Sequence, residues 1–147
     1  MKITHVQRDL YGRSAVSGIH DAVIRMFGFD ASSCFRLHLL GQAKEDRRLL
    51  LQGVARFGFN EFISDAIVSD VFCWEISSAD QNGISIEAWK VVLGGNYVET
   101  DLLTIVRKLT DQYQGFLFVF VECSYGGSIA FVCKEFLLES TEERSIS

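Results

Sequence analysis

The stretch that decides the fold runs from residue 116 to residue 136 and reads FLFVFVECSYGGSIAFVCKEF. Its first part, Phe116 to Cys123, is apolar on both faces, which is typical of a central strand covered on each side. The sequence Ser124 to Gly127 predicts a tight turn. Ile129 to Phe136 is then expected to return antiparallel to the first strand. This stretch therefore predicts a β-hairpin inside a sheet.

Further strands are predicted where apolar and polar residues alternate with a period of two. The segments with this pattern are Met1 to Val6, Phe35 to Leu40, Val71 to Ser77 and Ile84 to Trp89. Residues 78–83 contain the Asn-Gly pair of a hairpin turn, so we expect the last two segments to form a hairpin.

Helices are predicted where apolar residues recur at a spacing of three and four. Ser14 to Gly28 has a serine N-cap, an apolar stripe and a closing glycine. Good helix formers fill Ala43 to Phe57, and a short helix is expected within Asn60 to Val68. Thr100 or Asp101 is the expected cap of a helix that ends at Gly115. We therefore predict an α+β fold, with about three to four helices packed on a mainly antiparallel sheet built from hairpins.

The chain of 147 residues is the length of one domain, so we expect a single α+β domain over residues 1–147. Residues 138–147 are charged and are expected to form a frayed tail. The longest apolar run, Phe116 to Val121, is far shorter than the ~18 residues that span a membrane. The first twenty residues lack the pattern of a signal peptide.

The four cysteines are far apart in apolar stretches, which favours buried, reduced thiols and a cytoplasmic protein. Neither they nor the isolated residues His5, His20 and His38 have the spacing of a metal site, so no metal or cofactor is expected. The sequence contains no G-x-S-x-G elbow and no phosphate-binding glycine loop. Enzymatic activity is therefore not predicted, although a site assembled in space stays open.

Charge is divided unevenly along the chain. The formal net charge is −5, which argues against a nucleic-acid partner. Residues 1–60 have nine basic and five acidic side chains, whereas residues 61–147 have five basic and fourteen acidic ones. No lysine or arginine occurs from Phe57 to Trp89. Two interpretations remain open: the acidic half pairs with the basic half or with solvent, or it forms a docking surface for a basic protein.

The docking interpretation names specific residues. The expected electrostatic contacts are Asp65, Asp70, Glu75, Asp80 and Glu87. One of the two tryptophans, Trp74 or Trp89, is the expected aromatic anchor.

A small, acidic, motif-poor chain with aromatic strands resembles the bacterial immunity proteins that neutralise toxin domains, including those of contact-dependent inhibition systems. The hairpin at 116–136 and the acidic stretch at 61–87 carry this resemblance. It implies tight binding to a basic toxin domain, often a nuclease, whose active site is blocked by charge mimicry. The alternatives are a protein similar to secretion chaperones, which dimerise and hold an extended client on apolar patches, and a small enzyme.

Overall fold

A computed structural model describes residues 2–5, 19–61, 65–77, 84–94, 98–125 and 127–140. These residues form nine strands and two helices. The strands are β1 (Lys2–His5), β2 (Val23–Phe29), β3 (Phe35–Leu40), β4 (Asp46–Gln52), β5 (Arg56–Asn60), β6 (Ile67–Glu75), β7 (Leu117–Tyr125), β8 (Ser128–Cys133) and β9 (Glu135–Ser140). The helices are α1 (Ile86–Leu93) and α2 (Glu99–Gln112).

All nine strands belong to one sheet, in the order β1-β9-β4-β3-β2-β6-β7-β8-β5, and every pairing is antiparallel. The apolar strand β7 lies between β6 and β8, so both of its edges are hydrogen-bonded. The predicted hairpin is present, but its returning strand ends at Cys133. A new strand, β9, begins at Glu135 and pairs with β4 and β1 instead.

The chain from β8 to β9 is what joins the two halves of the sheet. It runs antiparallel to the chain from β4 to β5, with an irregular step between the two pairings. At this step the Lys134 N–H donates to the Gln52 carbonyl, and the Ala55 N–H donates to the Val132 carbonyl. From β9 the sheet continues through β4, β3 and β2 to β6, and Val23 of β2 pairs with Ile67 of β6. From β6 it continues through β7 to β8, and the chain of β8 leads directly into β9. The sheet therefore closes on itself around an apolar interior.

Apolar side chains cover both faces of the β6–β7–β8 region. Inward-facing residues from β2, β3, β4 and β6 to β9 form one core cluster, with Leu37, Leu49, Val119 and Phe131 fully buried. On the outer face, α1 and α2 pack over β6 to β8 and form a second cluster that contains Trp89. Burying each such large side chain stabilises the fold by about 1.5–3 kcal/mol.

The predicted fold class is wrong. In the part of the chain that the structure describes, two helices accompany a nine-stranded sheet, instead of three to four helices. The segment Val23–Phe29, expected to be helical, is a strand with a register shift between Ile24 and Met26. That shift breaks the period-two alternation and places apolar residues at a spacing that imitates a helix.

The second predicted helix, Ala43 to Phe57, is wrong for a different reason. Its residues form β4 and the start of β5, and β4 lies between β3 and β9. Leu49 and Leu51 face the inner core, whereas Leu50 packs with Cys34 and Leu137 on the opposite face. Burial on both faces of a sheet outweighs the helix propensity of these residues, which is a weak preference.

The segment predicted as a strand from Ile84 to Trp89 contains the start of α1 instead. The Ser85 hydroxyl accepts a hydrogen bond from the Ala88 N–H, and Gly94 ends the helix in the left-handed conformation. Both are ordinary capping features of a helix. Apolar and polar residues alternate over residues 84–88, which favours a strand and hides these features from a prediction based on pattern. The hairpin turn predicted at residues 78–83 lies outside the described residues.

Three other predicted boundaries also need correction. The short helix expected within Asn60 to Val68 is not found at its described residues, because residue 60 ends β5 and β6 begins at Ile67. Residues 138–140, expected to be frayed, pair with β4 and β1 as part of β9, while residues 141–147 lie outside the description. Helix α2 is confirmed, although Val98 is its N-cap residue.

Candidate functional site

The pairing of β6 with β7 brings acidic groups together. The register between β6 and β7 shifts by one residue at Val68, where Ser124 is an extra residue on β7, and shifts back before Asp70, where Ser69 is an extra residue on β6. After the shift Asp70 lies directly opposite Glu122 of β7. Residues in opposite positions on antiparallel strands have their Cβ atoms only about 4.5–5.5 Å apart. The register of β6 with β7 therefore places two carboxylates side by side.

A loop next to β2 brings a third acidic residue, Asp21, to the backbone of β6. The Asp21 N–H donates to the Val68 carbonyl (2.8 Å), which holds the loop against β6. The Asp21 backbone has φ 63°, a left-handed conformation that aspartate tolerates better than most residues. We call Asp21, Asp70 and Glu122 the β6 acidic patch. Within the described residues, neither Asp70 nor Glu122 takes part in an ion pair.

His20 is the basic group at this patch. Its Nδ1 lies 2.7 Å from the Ser69 carbonyl oxygen, which only accepts hydrogen bonds, so Nδ1 carries the proton. Its Nε2 lies 3.5 Å from Asp21 Oδ2. The hydrogen bond to Ser69 raises the pKa of His20, and the nearby charges of Asp21 and Asp70 raise it further. His20 thus gains positive charge as the pH falls and offsets the charge of the patch.

Ser69 connects the backbone of the bulge to Glu122. Its hydroxyl lies 3.0 Å from the Glu122 carbonyl oxygen and 3.3 Å from Glu122 Oε1, and it donates to these oxygens. The Glu122 side chain is exposed, and that of Asp70 is half-buried. The Glu122 carboxylate is therefore held by Ser69 and remains within reach of a partner.

The sequence prediction found only part of this arrangement. It named Asp70 and missed Glu122, which is 52 residues away in the chain and becomes its neighbour only through the β6–β7 register. One signal in the sequence pointed to Glu122: it is the single charged residue between Phe116 and Cys123. A charge in an otherwise apolar strand marks a position that faces solvent or a partner.

The other predicted acids lie elsewhere. Asp65 pairs with Arg25 at 3.3 Å, and Glu87 on α1 is paired with Lys90 at 3.5 Å. Glu75 is exposed at the far end of β6, about 16 Å along the strand from Asp70 if each residue adds about 3.3 Å. Because the two residues are five positions apart, their side chains lie on opposite faces of the strand. Asp80 lies outside the described residues. The structure thus brings together none of the predicted acids with Asp70.

The two predicted aromatic anchors have different environments. Trp89 is 2% exposed and packs edge-on against Phe118 at 4.7 Å, so it is a core residue and is not available to a partner. Trp74 is half-buried and stacks in parallel on Phe72, with ring centroids 5.3 Å apart. Because Trp74 and Asp70 are four positions apart on β6, both lie on its outer face.

A second charged cluster lies on the outer face of β3, β4 and β9. The Glu139 side chain is almost fully buried, 3.5 Å from Arg36 and 3.4 Å from Arg48. Each arginine also pairs with an aspartate, Arg36 with Asp30 at 3.0 Å and Arg48 with Asp46 at 3.4 Å. Opposite charges alternate through the cluster, with three carboxylates and two guanidinium groups, so most of its charge is compensated internally. It joins three strands and is explained by this structural role.

Asp30 anchors the turn between β2 and β3. Its carboxylate accepts hydrogen bonds from the Ser32 hydroxyl, the Ser32 and Cys34 N–H groups and Arg36. The Ser32 bonds are the main reason that the pKa of Asp30 lies far below its usual value. Asp30 and Arg36 also border a shallow depression of about 240 Å³ next to His38. Because these two charged groups are already engaged with each other, the depression offers no activated acid or nucleophile among them.

Half-exposed phenylalanines form an apolar cluster at one end of the interior. Phe27 and Phe29 of β2 face Phe57 and Phe59 of β5, with ring centroids 5.8 Å apart for Phe27 and Phe59 and 5.2 Å for Phe29 and Phe57. These four side chains, which we call the phenylalanine cluster, are 38–47% exposed. Contiguous exposed apolar side chains are unusual on a monomer and mark interaction surfaces.

No helix within the described ranges is long and apolar enough to cross a membrane. The same residues contain no group of three or more histidine, cysteine or acidic side chains placed to hold a metal ion. All four cysteines are free, and Cys34, Cys73 and Cys133 are buried. Burial raises the pKa of the Cys123 thiol to about 11, which makes it a poor nucleophile at neutral pH.

Comparisons of the chain with protein-family models, with curated proteins and with solved structures found no match.

Proposed function

We propose that this chain is a protein-binding inhibitor of the immunity type, which acts by covering a basic, nuclease-type toxin domain in the cytoplasm and catalyses no reaction itself. The observation that carries the proposal is the placement of Asp70 and Glu122 directly opposite each other on β6 and β7, next to Asp21. Three carboxylates on neighbouring backbone segments provide the complementary surface that a basic partner needs.

The two facing carboxylates repel each other in the free protein. Like charges opposite each other on adjacent strands destabilise a sheet, by roughly 0.2–1 kcal/mol for a pair of this kind. No described lysine or arginine neutralises Asp70 or Glu122. A lysine or arginine of a partner would remove this repulsion and gain a charge-assisted hydrogen bond to each carboxylate. The surface is thus less favourable alone than in a complex.

Trp74 is the aromatic group best placed to support such a contact. It lies on the same face of β6 as Asp70, and its half-buried ring is held flat against Phe72. A fixed aromatic ring contributes contact area with little loss of conformational entropy. Trp89 is no longer part of the proposed surface, since it is buried.

The proposal expects a toxin domain to be encoded beside this chain's gene, and the test uses that domain. Cells that make the toxin domain are expected to survive with the wild-type chain and to lose protection with the double variant Asp70→Asn, Glu122→Gln. The variant Glu87→Gln is the matched control, because Glu87 is exposed on α1 and outside the patch. A gene neighbourhood without a toxin, or full protection by the double variant, would refute the proposal.

One observation favours a second candidate, a binder of extended clients similar to secretion chaperones. The phenylalanine cluster is an exposed apolar surface of the kind that such a client requires. Salt separates the two candidates: binding through the acidic patch weakens as ionic strength rises, whereas binding through the phenylalanines does not.

A further inference from the structure

A row of aromatic rings leads along the outer face of β6 and β7 toward the β6 acidic patch. Trp89 packs edge-on against Phe118 at 4.7 Å, and Phe118 lies opposite Trp74 in the pairing of β7 with β6. Trp74 in turn stacks in parallel on Phe72 at 5.3 Å. The row therefore begins in the core, where Trp89 and Phe118 are at most 2% exposed, and ends at the half-buried ring of Phe72.

Phe72 lies between this aromatic row and the acidic patch. On the outer face of β6 its neighbours are Trp74 on one side and Asp70 on the other, each two positions away. Across the strand pairing, Phe120 lies opposite Phe72, and Glu122 lies opposite Asp70. Trp74 covers one face of the Phe72 ring, with an angle of 2° between the two ring planes. The other face of the Phe72 ring is therefore turned toward the two carboxylates.

The spacing along β6 matches the thickness of one flat cationic group. Residues two positions apart on a strand are separated by about 6.6 Å, at about 3.3 Å per residue. A planar group stacked on Phe72 lies about 3.5–4.0 Å from the ring, which leaves about 2.6–3.1 Å to the level of Asp70 and Glu122. A charge-assisted hydrogen bond from nitrogen to a carboxylate has a length of about 2.7–2.9 Å. A planar cation in this position can therefore contact the ring and donate to a carboxylate at the same time.

The carboxylates beside Phe72 keep a negative charge in the free protein. Among the described residues, neither Asp70 nor Glu122 forms an ion pair, and the neutral Ser69 hydroxyl donates to Glu122. His20 is the basic group nearby, and it is held by the Ser69 carbonyl next to Asp21. Even when His20 is protonated, the patch has three carboxylates against one cation. It is therefore complementary to a further positive charge from a partner.

We propose that this face of β6 binds an arginine side chain of the basic partner, with its guanidinium group stacked on Phe72 and hydrogen-bonded to Asp70 and Glu122. This role of Phe72 rests on the proposed function, because the arginine belongs to the protein that the patch binds. A guanidinium group is planar, stacks on aromatic rings and donates several N–H groups in one plane. A lysine ammonium is a strongly hydrated point charge that cannot stack in this way, so the site selects arginine.

The test compares two short peptides, acetyl-Gly-Arg-Gly-amide and acetyl-Gly-Lys-Gly-amide, as probes of the full chain. NMR titration of the backbone amides of β6 and β7 measures each dissociation constant, which we expect to be about millimolar. The arginine peptide is expected to bind about five-fold more tightly than the lysine peptide. Phe72→Leu is expected to remove this preference and to leave the weaker lysine binding in place, whereas Asp70→Asn is expected to weaken the binding of both peptides.

The matched control is Phe29→Leu, because Phe29 is an exposed ring of the phenylalanine cluster on β2. It is expected to leave both dissociation constants unchanged, and circular dichroism verifies that each variant is folded.

Three results would overturn the arginine site. Equal binding of the two peptides by the wild-type chain does so without any variant, and so does a preference for arginine that persists in Phe72→Leu. In both cases the binding of cations at the patch, and with it the proposed function, survives. Amide shifts with neither peptide also overturn the site, and the proposed function then depends on the toxin-protection assay alone.

Discussion

Asp70 and Glu122 lie directly opposite each other on β6 and β7, 52 residues apart in the chain. The pair continues the regular register that runs from Glu75↔Leu117 to Val71↔Val121, so the two carboxylates face each other through the main β6–β7 pairing. Ser69 holds Glu122 through its hydroxyl. Like charges in directly opposite positions on paired strands destabilise a sheet, so this placement has a cost in stability.

The first prediction concerns the loss of stability that the facing charges of Asp70 and Glu122 cause. Asp70→Asn removes one of the two facing charges while it keeps the size of the side chain. We expect the free energy of unfolding to rise by about 0.2–1 kcal/mol at low ionic strength, and the gain to shrink when salt is added. Urea denaturation at two salt concentrations measures the effect. A loss of stability at low salt would mean that the carboxylate makes a favourable contact instead.

The second prediction concerns pH. The pKa of His20 is raised mainly by its hydrogen bond to Ser69 and then by Asp21, so its contribution to stability is fully present below the unfolded pKa of 6.5. This contribution is lost as the pH rises through the higher folded pKa. Asp21→Asn is expected to lower the pKa of His20, as measured by NMR titration of its ring protons. An unchanged His20 titration in that variant would contradict the assigned role of Asp21.

The third prediction concerns the buried carboxylate of Glu139. Glu139→Gln leaves Arg36 and Arg48 without their shared counter-charge, and we expect a loss of about 1–3 kcal/mol in the free energy of unfolding. The value is below that of a fully buried pair because both arginines are about one-third exposed, at 38% and 34%. Glu87→Gln, which breaks an exposed pair on α1, is expected to cost only a few tenths of a kcal/mol. Equal losses in the two variants would show that burial of Glu139 does not matter.

The fourth prediction concerns the contact between β5 and α1. In Gly58→Ala the new methyl group would overlap the Val91 carbonyl oxygen, so the helix has to move away from the strand. We expect a loss of about 1–3 kcal/mol or more, and a lower melting temperature. Asn60→Ala, on the same strand but exposed, is the control and is expected to change stability little. A fully stable Gly58→Ala chain would contradict the close approach of α1.

Local sequence patterns predicted those elements whose pattern agrees with their environment. Alternation identified β3, because Phe35, Leu37 and Leu39 face the interior and the residues between them do not. An apolar run identified β7, which is covered on both faces. In both cases the burial of each side chain follows from its position along a regular strand.

Patterns failed where contacts distant in sequence decide the structure. The register shift in β2 gives apolar residues a helical spacing, and the three consecutive leucines of β4 are good helix formers that become buried on two faces of a sheet. The same reason explains the candidate site. Asp70 was found because it lies in an acidic stretch, whereas its partner Glu122 is set by a pairing register that no local pattern encodes.

The central claim is that the β6 acidic patch binds a basic protein. Its most direct test is the association rate constant between this chain and a purified basic toxin domain, which the proposal expects to be encoded beside its gene, at low and at high salt. For the wild-type chain we expect the rate to fall about ten-fold or more as salt increases. The double variant Asp70→Asn, Glu122→Gln is expected to start near the high-salt rate and to lose most of the salt dependence. Equal rates and equal salt dependence for the two proteins would contradict the claim.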